Sequence, residues 1–225
     1  YRHNYVNQYG VKVHHEPGRV FFEKALYVYE NQHERPEAKA YLAGFMTHFI
    51  LDGTCHPYIN RRARETGISH TEIESDLDLV IMKDEGLIPR KAHKTKQVKP
   101  SIRAAGIIAP YYDMTGRQIL GGLVGQKFIV DHIFRSRFGM KRALSGLIAG
   151  TVGSKARKGS VIKGLRDHFT KPRIHPGNTE TIETLKDMMT GCRQEGADMV
   201  TDLCRALDHE NTGFLYDRRL ERKFS

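Results

Sequence analysis

The sequence predicts an all-α fold, and three observations carry that expectation. No stretch of the 225 residues shows sustained period-two alternation. Apolar residues recur instead at three- and four-residue intervals over most of the chain, and the segments so marked open and close on proline, serine or glycine helix signals. At this length one substantial core is expected, so residues 1–225 read as a single helical domain.

Residues 1–16, ending in Val13-His14-His15-Glu16, read as a polar, tyrosine-rich loop. Pro17 opens a helix, because proline is tolerated in a first turn and Phe21, Phe22, Ala25, Leu26, Val28 and Tyr29 form an apolar stripe at helical spacing. Pro36 opens the next, whose interior is apolar almost all round, which makes it central in the fold. Gly53 and His56-Pro57 mark its end or a distortion, and a basic helical or turn-like piece over 59–66 is closed by Gly67. Ser69 and Glu72 form an S-x-x-E capping box that starts a third helix, with Ile73, Leu77, Val80 and Ile81 inward and a stop at Gly86. Residues 89–100 are a basic exposed loop. Helices follow over 101–112, 115–137 and 139–152, then a basic piece over 155–171, and Asn178 caps one long final helix.

The formal charge of +10 favours an anionic partner: a phosphate-bearing substrate, a lipid head-group surface or a nucleic acid. A basic solvated surface without a specific partner accounts for it equally well. Three scattered cysteines make no disulfide framework and favour a reducing, cytoplasmic compartment. No apolar run approaches the roughly 18 residues of a membrane span, and residues 1–10 carry no signal-peptide pattern.

Residues 44–74 concentrate the chemistry. His48 and Asp52 lie four apart on the central helix, so their side chains leave it about 40° from each other and can reach one ion. His70 and Glu74 repeat that spacing, and His56 lies between the pairs. A lone histidine in an apolar helix is more often a hydrogen-bonded core residue, and an Asp-Gly pair often merely ends a helix. Two such pairs with an intervening His-Pro point to a metal site, and histidine with carboxylate points to zinc or another borderline ion in a catalytic setting. Cys55 could ligate but reads better as a small buried residue. A P-loop, G-x-S-x-G, H-E-x-x-H and zinc-ribbon cysteine spacing are all absent.

At these residues the sequence resembles the zinc-dependent phospholipase C family, in particular its compact bacterial members. The resemblance rests on GFMTHFILDGTCHPYI (44–59), GISHTEIE (67–74) and VHHEPGRVFF (13–22). It implies an all-α bundle of the phospholipase C / P1 nuclease type with two or three zinc ions in a cleft. It matches His48 and Asp52 to a helix whose aspartate bridges two ions, His56, His70 and Glu74 to the ligands of a separate zinc, and His14 to an upstream ligand. Asp52 and Glu74 are then the catalytic carboxylates. The family's earlier histidine and aspartate have no counterpart in residues 1–13, so the chain is expected to lack an N-terminal segment of that fold. The implied activity is hydrolysis of a phosphodiester, foremost a phospholipid head group, with peripheral contact to an anionic membrane. A single-strand nuclease of the S1/P1 type shares the layout, but basic residues with few interleaved aromatics disfavour nucleic acid. A non-catalytic, metal-stabilised helical scaffold that binds membranes or partners is the remaining alternative.

Overall fold

The computed structural model describes residues 5–88, 95–128, 174–211 and 213–224. They form helices α1 (Tyr5–His15), α2 (Gly18–Glu30), α3 (Arg35–Thr66), α4 (His70–Asp84), α5 (Ile102–Ile108), α6 (Gly116–Phe128), α7 (Thr179–Gly191) and α8 (Arg193–Leu207). Short 3-10 turns lie at Ala109–Tyr112, Pro176–Asn178, Phe214–Tyr216 and Arg218–Glu221. The fold is all-α: the extended pairing among the described residues is an isolated antiparallel bridge between Pro17 and Lys223. The helix expected over 139–152, the basic piece 155–171 and residues 89–94 of the loop expected over 89–100 lie outside the described residues.

The chain divides into two compact units. One comprises Arg2–Pro57, Pro100–Gly122 and Asp187–Ser225. Its core is Phe21, Phe22, Ala25 and Tyr29 of α2, Leu42, Met46, Phe49 and Ile50 of α3, and Met199, Leu203 and Leu207 of α8. Phe214, Leu220 and Phe224 of the final segment join that core. The spacing of the α2 and α3 sets is the helical stripe expected from sequence, and each of the larger aliphatic and phenylalanine side chains contributes about 1.5–3 kcal/mol on burial. Gly18, where α2 begins, has no room for a side chain: a Cβ there would lie 2.5 Å from the Phe49 ring.

The other unit comprises Tyr1, Tyr58–Lys99 and Leu123–Lys186. It buries Ile59, Ile68, Ile73, Leu79, Met82, Ile182 and Leu185. A polar knot joins α4 to the start of α7: the buried Asp76 carboxylate accepts the His175 backbone N–H at 2.9 Å and the Asn178 side-chain amide at 2.7 Å. Arg62 Nε donates to Thr181 Oγ1 at 3.0 Å. These bonds explain why α4 buries Ile73, Asp76, Leu79 and Met82 rather than the expected Leu77, Val80 and Ile81.

Three further expectations change. Residues 5–15 are helix rather than loop, because Val13 enters the core and Tyr9 packs edge-on against Tyr112 at 5.8 Å. The central helix does not end near Gly53 but runs to Thr66 with Pro57 inside it. Proline cannot donate to the carbonyl four residues back and costs about 3 kcal/mol in a helix interior. Burial of Phe49, Ile50 and Ile59, each at most 2% exposed, outweighs that cost. The final helix is two, broken at Cys192, whose backbone (φ −84°, ψ 0°) leaves the helical region.

Candidate metal centre

The first unit gathers three histidines around one carboxylate. On α3, one turn separates His48 from Asp52 and a second separates Asp52 from His56, while the last turn of α1 supplies His14. Asp52 Oδ2 lies 3.4 Å from His48 Nε2, 3.8 Å from His14 Nε2 and 3.9 Å from His56 Nδ1. One ligand atom from each of His14, His48 and Asp52 falls within 4.8 Å of the others. His15, the neighbouring histidine, is exposed and stands outside this group.

Hydrogen bonds fix which ring nitrogen each histidine presents. A carbonyl oxygen only accepts, so His14 Nδ1, 2.7 Å from the Gly10 carbonyl, carries the proton. The lone pair of the neutral ring is then on Nε2, facing the Asp52 carboxylate. His56 Nδ1 donates likewise to the Phe224 carbonyl at 2.6 Å. A lone pair facing an anionic oxygen at this distance suits a hydrogen donor or a metal ion between them. Desolvation first, with His14 and His56 nearby, lowers the His48 pKa below its ordinary value against the opposing pull of Asp52. That favours the neutral, metal-ligating form at His48.

The second unit repeats the pattern. Gly67, with φ +72°, ends α3 in the left-handed conformation that glycine adopts without strain. Ser69 then caps α4 by accepting the Glu72 N–H at 3.3 Å, and His70 follows in its first turn. His70 Nδ1 donates to Asn60 Oδ1 at 2.8 Å, and its Nε2 lies 3.1 Å from Glu74 Oε1. Asn60 is itself one turn beyond His56 on α3.

These donor sets fit zinc. Two ligands about 2.1 Å from a tetrahedral ion stand about 3.4 Å apart, and His48–Asp52 at 3.4 Å, His14–Asp52 at 3.8 Å and His70–Glu74 at 3.1 Å bracket that value. Imidazole and carboxylate are the ligands of catalytic zinc, and histidine ligands whose other nitrogen donates to a carbonyl are its usual support. Cys55 stands outside both groups of candidate ligands and is buried, which pushes its thiol up to about 11.

Residues 2–113 match the model of the zinc-dependent phospholipase C family. Over that stretch the chain belongs to the zinc-dependent phospholipase C family. No curated protein and no solved structure matches the chain. The matched stretch holds His14, His48, Asp52, His56, His70 and Glu74. Helices α7 and α8 and the segment around Phe224 lie beyond it.

Three supporting groups of this zinc-dependent phospholipase C domain escaped the sequence reading. Asn60 was within reach of it, because His48, Asp52, His56 and Asn60 recur every four residues on α3. The Gly10 carbonyl follows from reading residues 5–15 as helix, being four residues before His14. Phe224, 168 residues from His56, carries no local signal.

Proposed function

We propose that the protein is a zinc-dependent phospholipase C-like hydrolase of phosphodiesters, acting on phospholipid head groups. The observation that carries this is that His14 and His70 each donate Nδ1–H to a carbonyl oxygen and turn Nε2 toward a carboxylate. His14, His48 and Asp52 would hold one ion. His56, His70 and Glu74 would hold a second, on the strength of their sequence spacing and the family membership. Zinc, when bound, acts as a Lewis acid on a phosphoryl oxygen and makes water a nucleophile near neutral pH.

The chain's own residues prepare the site. Gly10, Asn60 and Phe224 supply oxygens that lock three imidazoles in one tautomer and orientation. Asp52, with 17% of its side chain exposed, supplies a fixed negative charge in a partly desolvated setting. Glu74, 42% exposed, is the carboxylate that solvent and a phosphodiester reach. The formal charge of +10 supports peripheral attachment to an anionic bilayer, and three unpaired cysteines support a cytoplasmic setting.

The test is zinc content together with turnover of phosphatidylcholine vesicles, p-nitrophenyl phosphorylcholine and single-stranded DNA, by wild type and His70→Ala. Lipid hydrolysis that depends on zinc and falls at least 100-fold in the variant is expected. Turnover of DNA alone would assign the nuclease activity instead. Stoichiometric zinc with no turnover of any substrate would leave a metal-stabilised scaffold.

A further inference from the structure

The segment 222–224 ends on the metal centre. Its path is fixed from several sides. Gly18 N–H donates to the Arg222 carbonyl at 2.9 Å, Lys223 bridges to Pro17, and Arg222 pairs with Glu195 at 2.8 Å. The Lys223 carbonyl occupies the space over Gly53 of α3, where a Cβ would lie only 3.1 Å from it. Phe224 then enters the core, 1% exposed. Its ring lies 4.8 Å from Phe49, 5.3 Å from Phe45, 5.5 Å from His14 and 5.8 Å from His48, centroid to centroid. Its carbonyl takes the His56 Nδ1–H.

We infer that Phe224 is a positioning residue of the metal centre: its carbonyl sets the tautomer of His56, and its ring holds His14 and His48 in place around Asp52. The role goes beyond packing because the two parts of one residue act on three of the proposed ligands. A ring that filled the core alone would not need its carbonyl against an imidazole nitrogen. Phe224 also lies outside the stretch that matches the zinc-dependent phospholipase C family. The inference rests on the metal reading of His14, His48, Asp52 and His56, and one of its readouts is taken without metal.

The experiment uses the whole chain with histidine 15N-labelled. Long-range 15N–1H spectra of the metal-free protein, at a pH above the imidazole range, report the His56 tautomer. Competition against a chromophoric chelator reports zinc affinity. Wild type is expected to show His56 protonated on Nδ1. Phe224→Ala is expected to populate both tautomers and to weaken zinc about 10- to 100-fold, with helix content kept. Phe224→Leu, which preserves the apolar anchor and hence the carbonyl's position, is expected to restore the tautomer. Gly53→Val, which leaves Phe224 intact but pushes on the Lys223 carbonyl, is expected to shift the tautomer as Phe224→Ala does, and it carries the test if that variant fails to fold. A folded Phe224→Ala or Gly53→Val protein with the wild-type tautomer and zinc affinity would overturn the inference. A wild type that binds no zinc while Phe224 still sets the tautomer would refute the metal reading and support the positioning role.

Discussion

Asp52→Asn tests the centre at its most connected atom. The substitution keeps the size and one acceptor of the side chain and removes a single negative charge from a carboxylate lying 3.4–3.9 Å from three imidazoles. One pair of unit charges about 4 Å apart is worth about 4 kcal/mol at the effective dielectric of about 20 that suits partly buried sites. A divalent ion doubles that, and the remaining amide oxygen and entering water recover part of it. A net loss of about 4 kcal/mol is therefore expected, which weakens zinc about 1,000-fold. The assay is chelator competition on the metal-free protein at fixed pH and ionic strength, with Asp187→Asn on an exposed face of α7 as the charge control. Asp187→Asn should change affinity less than threefold, because a solvent-exposed charge is screened by water and salt. Equal zinc affinity for Asp52→Asn and wild type would refute the argument, since no ion held by His14 and His48 could fail to feel that charge.

Two further outcomes follow from the supporting structure. Asp76→Ala removes two hydrogen bonds to a buried carboxylate, each worth about 1.5–3 kcal/mol, so local stability over 175–182 should fall by about 3–5 kcal/mol. Asp76→Asn, which keeps one acceptor, should fall between; amide exchange of those residues reads both, and a change under about 1 kcal/mol for Asp76→Ala would refute the assignment. Hydrogen bonds from Arg219 hold the Asp217 carboxyl below its ordinary value. Because the folded value is depressed, the stabilisation is present above the ordinary carboxyl pKa and is lost as the pH falls through the folded one. Protection of the Gly18 amide, which donates to Arg222, should therefore fall relative to its intrinsic exchange rate below about pH 4, and Asp217→Asn should abolish that dependence.

The parts of the fold that were legible in the sequence are those governed by local periodicity. The α2 stripe, the Ser69 cap and the Gly67 and Gly86 stops all declare themselves within a few residues, and the structure places them as expected. At Gly86 the αL residue is joined by Leu87 N–H to Met82 O at 2.8 Å and Gly86 N–H to Lys83 O at 2.9 Å, the paired bonds of a glycine-terminated helix. Where the sequence misled, a long-range contact overrode a local signal. Pro57 reads as a helix breaker, yet the apolar residues before and after it are buried and the helix continues. On α4 the expected inward set shifts, because Asp76 is held inside by partners 99 and 102 residues away.

The same division runs through the metal centre and explains its design. His48, Asp52, His56 and Asn60 advance about 40° per step along α3, so one helix sets these four side chains on a slowly turning stripe. A period of four is therefore visible in the sequence because the helix alone creates it. A helix fixes the imidazole tautomer only where its own carbonyl is the acceptor, as Gly10 is for His14; His56 and His70 take theirs from outside their own helix. At His14 the acceptor is a carbonyl of the same helix, at His70 a side chain ten residues earlier, and at His56 a carbonyl 168 residues later. Ligand identity is thus a local property of this chain. Readiness to bind depends on tertiary structure as well, so a variant that keeps all six candidate ligands but unseats residues 222–224 should lose zinc before it loses its helices.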